Sequence, residues 1–395
     1  TLSLHDALPI YGDVSACKCQ VNAGKTVVVS PNTTFSIESD VDNKGIFQVD
    51  NSGVLIQKND FAINTGAAKI KRFSTPMRRY DFTYWSSPVA GQSLFSFSPL
   101  TLSDKYFQFD PIIGNWVNVP NSTTMSIGKG YIIRAPQTFD IVTPTIFDTG
   151  EFNGVPNNGF IQTPIALGAS NLNLIGNPYP SALSANAFLS FPENASVVEG
   201  TIYLWTHNTA LANNVYSSND YAVYNYSGTV GTSASTSSGL NTQIPTGKIA
   251  SGQSFFIKGL ANGNVSFYNN MRLATNNNEF FRQETATPSA YIAPASDRIW
   301  LNLTNAQGAF KQLMVGYHAQ ATNGYDRGFD GEVLNGNNYV NFYTSNGSKQ
   351  LAIQTNGFPF SSQDHFTIGY KAAVSGNFSV GIDRKEGLFI QQSIY

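Results

Sequence analysis

Short runs of alternating or β-branched residues, each closed off by Gly, Asn, Pro or Asp, recur along the whole chain, and helical periodicity is scarce. Thr26–Val29, residues 45–49, 53–57, Tyr131–Arg134, 254–258, 299–303 and 377–382 are typical. Val, Ile, Tyr and Phe suit a pleated, half-buried surface, and Asn and Gly supply the positive φ angles that tight turns need. The pattern predicts an all-β protein. Composition narrows the classes further. The 28 Phe, 19 Tyr and 4 Trp in 395 residues exclude intrinsic disorder. A net charge of −2 lacks the basic surplus that neutralises nucleic-acid phosphates. No apolar run approaches the length of about 18 residues needed for a membrane-spanning helix. Charged residues make up only 12 %, against about 25 % in an ordinary soluble domain. Amide and hydroxyl residues take their place, among them 40 Asn. Such a surface hydrogen-bonds sugars with little dependence on salt.

The length predicts two to four domains at roughly 100–200 residues each. Residues 1–10 lack the Asn-, Gly- and Thr-rich texture of the rest of the chain and read as a sequence remnant, so residues 1–19 are expected to be a non-native or disordered lead. Cys17 and Cys19, the only cysteines, are one residue apart, which disfavours a mutual disulfide and supplies only half a zinc set. They read as two unpaired thiols. Between residues 20 and 73 an Asn-x-Gly triplet recurs at Asn22, Asn43 and Asn64, an interval of 21 residues each time, with a further copy at Asn51. A constant interval near 20 predicts stacked coils, a short parallel β-solenoid in which each Asn amide bonds the Asn of the next coil. Ordinary hairpins are the alternative.

Residues 74–165 and 166–285 look like two copies of one β-module. Tyr84-Trp85-Ser86-Ser87-Pro88 matches Leu174-Ile175-Gly176-Asn177-Pro178 at an offset of 90. Tyr106-Phe107-Gln108-Phe109 matches Ile202-Tyr203-Leu204-Trp205 at 96, and Gly128-Lys129-Gly130 matches Gly252-Gln253-Ser254 at 124. The jump of 28 falls within residues 207–247, which read as a loop insertion, since loops absorb insertions at low cost. Convergent strand patterning is the alternative. Residues 286–297 read as a linker. From 298 to 395, six or more strands at a spacing of roughly 10–15 residues predict a β-sandwich.

Chemical motifs are sparse. His5, His207, His318 and His365 lie far apart in unrelated contexts, and no zinc-protease, nucleophile-elbow or phosphate-loop signature is present. No catalytic residue is assigned, and the chain is read as a non-enzyme. Asp326, Asp330 and Glu332 flank Gly328 and Gly331, a spacing from which oxygen ligands can converge on calcium. The same carboxylates could serve a glycosidase, or form a solvated acidic turn. Trp116 follows the turn Gly114-Asn115 and is the candidate aromatic platform for a sugar ring, core burial being the alternative.

Several runs together resemble a known group. Tyr80-Asp81-Phe82-Thr83-Tyr84-Trp85-Ser86-Ser87-Pro88-Val89 is one, and Asn173-Leu174-Ile175-Gly176-Asn177-Pro178-Tyr179-Pro180-Ser181 is another. With them go Thr246-Gly247-Lys248-Ile249-Ala250-Ser251-Gly252-Gln253, Arg298-Ile299-Trp300-Leu301-Asn302-Leu303 and Gly328-Phe329-Asp330-Gly331-Glu332. Over about residues 20–395 the chain resembles large secreted proteins of flavobacteria and their relatives. The resemblance implies export by a type IX secretion system through a C-terminal sorting domain, which would begin just after Tyr395. It also implies an extracellular or outer-surface location. The expected role is adhesin-like binding or structure, with polysaccharide as partner and calcium as the one candidate cofactor. A secreted carbohydrate-active enzyme, or its ancillary binding portion, is the alternative, and a structural spacer is a third.

Overall fold

The computed structural model describes residues 2–3, 8–205, 211–212, 215–216, 221–232, 244–278, 297–306, 308–334, 339–361 and 363–392. The protein is all-β. Among the described residues the α-helices are Leu94–Phe97, Ala185–Ser190 and Pro192–Val197, none longer than six residues. Among the described residues no helix is long and apolar enough to cross a membrane. Two compact units divide the chain: Thr1–Val198 with Lys248–Ala286, and Glu199–Gly247 with Thr287–Tyr395.

The first unit begins with three parallel ladders. One runs through Leu8–Ile10, Thr26–Val29, Ile46–Val49 and Ala68–Lys71. A second joins Val14–Ala16, Thr34–Ile37 and Val54–Gln57, and a third contains Cys19–Val21 and Val41–Asn43. The chain visits the ladders in rotation, so each circuit lays a coil on the one before. Partners such as Thr26 and Ile46, Val14 and Phe35, or Cys19 and Val41 lie 20, 21 and 22 residues apart. Inward-facing Val27, Val29, Phe35, Ile37, Phe47 and Leu55 fill the interior and are fully buried. The stack ends where Ala68–Lys71 pairs antiparallel with Glu151–Pro156.

The repeat of Asn-x-Gly has a steric cause here. A Cβ on Gly45 would stand 2.5 Å from the carbonyl oxygen of Asn22, and one on Gly66 would stand 1.8 Å from that of Asn43. Each glycine lies against the carbonyl of the asparagine one coil earlier, and no side chain fits. The expected asparagine ladder does not form. Asn43 instead accepts from the Gly45 amide and donates to the Ala67 carbonyl, and Asn64 accepts from the Val41 amide (2.9 Å). Backbone groups at the bends lack ladder partners, and the side-chain amides satisfy them. Residues 8–19 are likewise not a disordered lead: Leu8–Ile10 continues the first ladder, and Ile10 and Cys19 are in the core.

The rest of the unit is antiparallel. Phe82–Trp85, Tyr131–Arg134, Tyr106–Asp110 and Asn115–Asn118 pair in that order, Leu172–Gly176 pairs with Ser254–Gly259, and Ile161–Ile165 with Gly263–Phe267. Residues matched in the two repeated motifs occupy matching places. The Ser86 amide donates to the Gly252 carbonyl, and the Gly176 amide donates to the Gly128 carbonyl, both at 2.9 Å. Antiparallel bridges join Trp85 to Gln253 and Lys129 to Ile175. Under the offsets of 90 and 124 these are the same contacts with the two halves exchanged, so the halves meet about a local pseudo-two-fold. Gly128 and Gly252 both have positive φ, 74° and 79°. Two buried arginines fasten this unit. Arg72 donates to the Asn277 carbonyl (2.7 Å), and Arg272 donates to the Leu55 carbonyl (2.6 Å) while lying over the Tyr179 ring.

The second unit holds a mixed sheet in the order Thr367–Ala372, Val340–Asn346, Lys349–Gly357, Phe310–His318, Asp297–Asn305 and Phe378–Glu386, with Gly331–Glu332 also on Lys349–Gly357. Lys349–Gly357 and Phe310–His318 run parallel, and the other pairs are antiparallel. The expected runs 299–303 and 377–382 fall on Asp297–Asn305 and Phe378–Glu386. Ile299, Leu313, Val315, Tyr317 and Phe342 form the core. The unit boundary falls inside the expected module over 166–285, and residues 199–247 group with this unit. Val198–Trp205, Tyr221–Tyr224 and Thr229–Val230 pair antiparallel in that order. The Trp300 indole donates to the Thr229 carbonyl (2.7 Å), and Arg298 donates to that of Ser227 (2.8 Å). The expected linker lies outside the described residues except for Asp297, which opens a strand.

Candidate functional site

Asp326 and Asp330 sit in one turn and Glu332 ends the two-residue strand Gly331–Glu332 that follows it, and they do not converge. The turn closes on itself: the Asp330 amide donates to the Asp326 carbonyl (2.9 Å), and the Asp326 amide returns a bond to the Asp330 carboxylate (2.7 Å). The other Asp330 oxygen accepts from the Thr355 amide (2.8 Å), which ties the turn to the neighbouring strand. Asp330 is fully buried, and burial pushes its carboxyl up to about 6 despite the two amides that favour the charged form. Asp326 turns the other way, accepting from the amide and hydroxyl of Thr322. Glu332 forms an ion pair with Lys349. The calcium geometry expected from spacing is therefore corrected: each carboxylate points at a different partner. Among the described residues no group of three or more His, Cys, Asp or Glu is placed to hold a metal ion.

The partners of Glu332 carried no sequence signal. Lys349 also faces Glu199 at 3.9 Å, and its ammonium lies 4.0 Å from the Tyr325 ring centroid. The Tyr325 hydroxyl donates to Glu199 (3.3 Å), and burial together with the neighbouring carboxylates pushes that phenol upward. A glycosidase needs two carboxylates on either side of an open cleft. Here one ammonium occupies the ground between Glu199 and Glu332, and this set acts as a brace.

Trp116 lies on the edge strand Asn115–Asn118 and is half-buried. Tyr84 and Phe109 both stand 5.4 Å from it and Phe256 5.8 Å, in tilted or edge-on contacts. These packings stabilise an aromatic cluster. His318 stacks on Phe329 and accepts from the Gln320 amide through Nδ1, and His5 and His207 lie outside the described residues.

Beside the aromatic cluster, in the first unit, is a groove of about 350 Å³. That volume falls within the range of about 300–1,000 Å³ usual for small-molecule sites. Its lining includes Phe109, Ser126, Ile127, Lys129, Thr163 and Pro164. The turn from Ser126 to Lys129 forms one wall, closed by the Lys129 amide donating to the Ser126 carbonyl (3.2 Å). Gly128 stands at the bend, where a Cβ would meet the Thr163 hydroxyl at 2.0 Å. The turn is thus pressed directly onto the strand Ile161–Ile165. Lys129 is half-buried, and its ammonium donates to the Gln108 amide oxygen (2.6 Å). Burial pulls its pKa down, opposed by Asp110. Sequence reading passed over this lysine because its only signal was membership of a repeated turn.

Fold and interior together define an all-β protein whose buried charges are tied to its own backbone and to one another. The chain belongs to the family described as a domain of unknown function, DUF8693, which matches residues 6–395. Comparison with curated proteins and with solved structures finds no match.

Proposed function

We propose that this protein is an extracellular or cell-surface component of the adhesin-like kind, exported by type IX secretion, which binds polysaccharide. The location and export route rest on the resemblance carried by the sequence runs around Trp85, Asn177, Gly252, Trp300 and Asp330. The observation that carries the binding role is the groove of the first unit. Its apolar walls suit the C–H faces of sugar rings, and hydroxyls and an ammonium at its margins suit their polar edges. The fixed interior suits such a role. Arg72, Arg272, Arg298 and Asp330 are buried, and each bonds backbone far away in sequence. These bonds give rigidity to a chain whose cysteines, Cys17 and Cys19, are both free thiols. Two measurements test the reading. In the native host, the protein is expected at the cell surface or in the medium, and inside the envelope when the type IX machinery is deleted. On a polysaccharide panel, the full chain is expected to bind, and Ser126→Trp, which fills the groove, is expected to lose that binding. Unchanged location in the deletion strain overturns the export route, and a chain that binds no polysaccharide overturns the role.

A further inference from the structure

We infer that the groove is selective for acidic saccharides, with the Lys129 ammonium receiving a sugar carboxylate. The inference deepens the proposed binding role and rests on it. Lys129 forms no ion pair among the described residues, and its hydrogen-bond partner, Gln108, is a neutral amide. Asp110, the acid whose charge acts on Lys129, directs one carboxylate oxygen to the Ile112 amide (2.8 Å) and forms no ion pair with the ammonium. A half-buried cation whose hydrogen-bond partner is neutral, with the Tyr131 ring 6.0 Å from it and no ion-paired carboxylate among the described residues, gains from an arriving anion, because the low-polarity surroundings that weaken its hydration strengthen the new contact. The remaining lining decides what carries that anion. Phe109, Ile127 and Pro164 present apolar surface, and Ser126 is an exposed polar residue of the lining. A sugar ring bearing one carboxylate meets both halves of this lining, whereas a small inorganic anion would leave the apolar wall uncovered.

The position matched to Lys129 in the repeated motif supports the assignment. Gln253 occupies the same place in its turn, is buried, and uses its side-chain oxygen on the Ala250 amide. Charge appears only in the copy of the turn that faces the groove.

The test uses the full chain and two probes: an oligogalacturonate, and the same oligosaccharide with its carboxylates reduced to alcohols. Binding is read by calorimetry for the wild type, Lys129→Met, Lys129→Arg and Ser126→Trp, after each variant is shown to keep the wild-type thermal midpoint. Wild type is expected to bind the acidic probe at least about tenfold more tightly than the reduced one, the effect of one charge-assisted hydrogen bond. Lys129→Met removes that preference, Lys129→Arg keeps most of it, and Ser126→Trp removes binding of both. Equal affinity for the two probes overturns the acidic selectivity while leaving the polysaccharide role standing. So does tight binding of the acidic probe that Lys129→Met and Ser126→Trp leave untouched, since the contact is then elsewhere. An acidic peptide that competes as well as the oligogalacturonate overturns the saccharide assignment. Failure to bind either probe or any other polysaccharide overturns both this inference and the role beneath it.

Discussion

Asp330 is the residue at which chemistry and fold are most tightly joined. Its carboxyl titrates at about 6 in the folded chain, above the ordinary 3.8, because burial penalises its charged form. The folded state therefore holds the proton more strongly than the unfolded state between those values. The contribution of Asp330 to stability is fully present below pH 3.8 and is lost as pH rises through about 6, by ~1–3 kcal/mol. Asp330→Asn should be less stable than wild type throughout, because an amide nitrogen must then face the Asp326 or Thr355 amide. The gap should narrow between about pH 4 and 7, as urea unfolding at stepped pH will show. Added calcium or chelator should leave the thermal midpoint of the wild type in place, since Asp326, Asp330 and Glu332 are directed at separate partners. The two thiols make a second contrast. Cys19 is buried and its thiol is pushed up to about 12, whereas Cys17 is exposed. A maleimide should label one site per chain under native conditions at neutral pH and two in denaturant, as mass spectrometry would count.

Among the elements, the coil corners have the clearest requirement. Gly24 and Gly66 both have positive φ, at 75° and 77°, but a Cβ on Gly24 meets open space, and one on Gly66 meets the Asn43 carbonyl. Gly24→Ala should cost about 1–2 kcal/mol, the left-handed backbone penalty alone. Gly66→Ala should cost about 2–4 kcal/mol, the same penalty plus the displacement of a packed neighbour. Urea midpoints of the two variants give the difference directly. The strands between these corners were legible in the chain because alternation and β-branching are local signals. So was the spacing of Gly45 and Gly66, since each passes the carbonyl of the asparagine one coil earlier. What asparagine does at the bends was not legible: its partner is a backbone group chosen by the geometry of the next coil.

Across the whole molecule, the unit boundaries were the least legible feature. A local pattern marks where a strand lies but not which distant strand it joins. Residues 207–247 have the texture of a loop, yet they contain the strands Tyr221–Tyr224 and Thr229–Val230 and fall in the same unit as the strand Asp297–Asn305. The brace of Glu199, Lys349 and Glu332 was hidden for the same reason, its members being spread over 150 residues of chain. The consequence is testable. Residues 298–395 expressed alone lack the carbonyls of Ser227 and Thr229, leaving Arg298 and the Trp300 indole without the acceptors they have in the full chain. A buried donor without its acceptor costs about 1–3 kcal/mol, so this fragment should show no cooperative thermal transition. Addition of residues 199–247 through a flexible linker should restore one, followed by tryptophan fluorescence.

The exchanged contacts between Ser86 and Gly252 and between Gly176 and Gly128 have a further meaning. Two identical subunits related by a dyad must present every residue twice, so a cation introduced at one mouth appears at the other as well. A polypeptide that carries both partners in tandem is released from that duplication. It can keep an ammonium where one turn borders a groove, and bury a neutral glutamine where the opposite turn must be sealed.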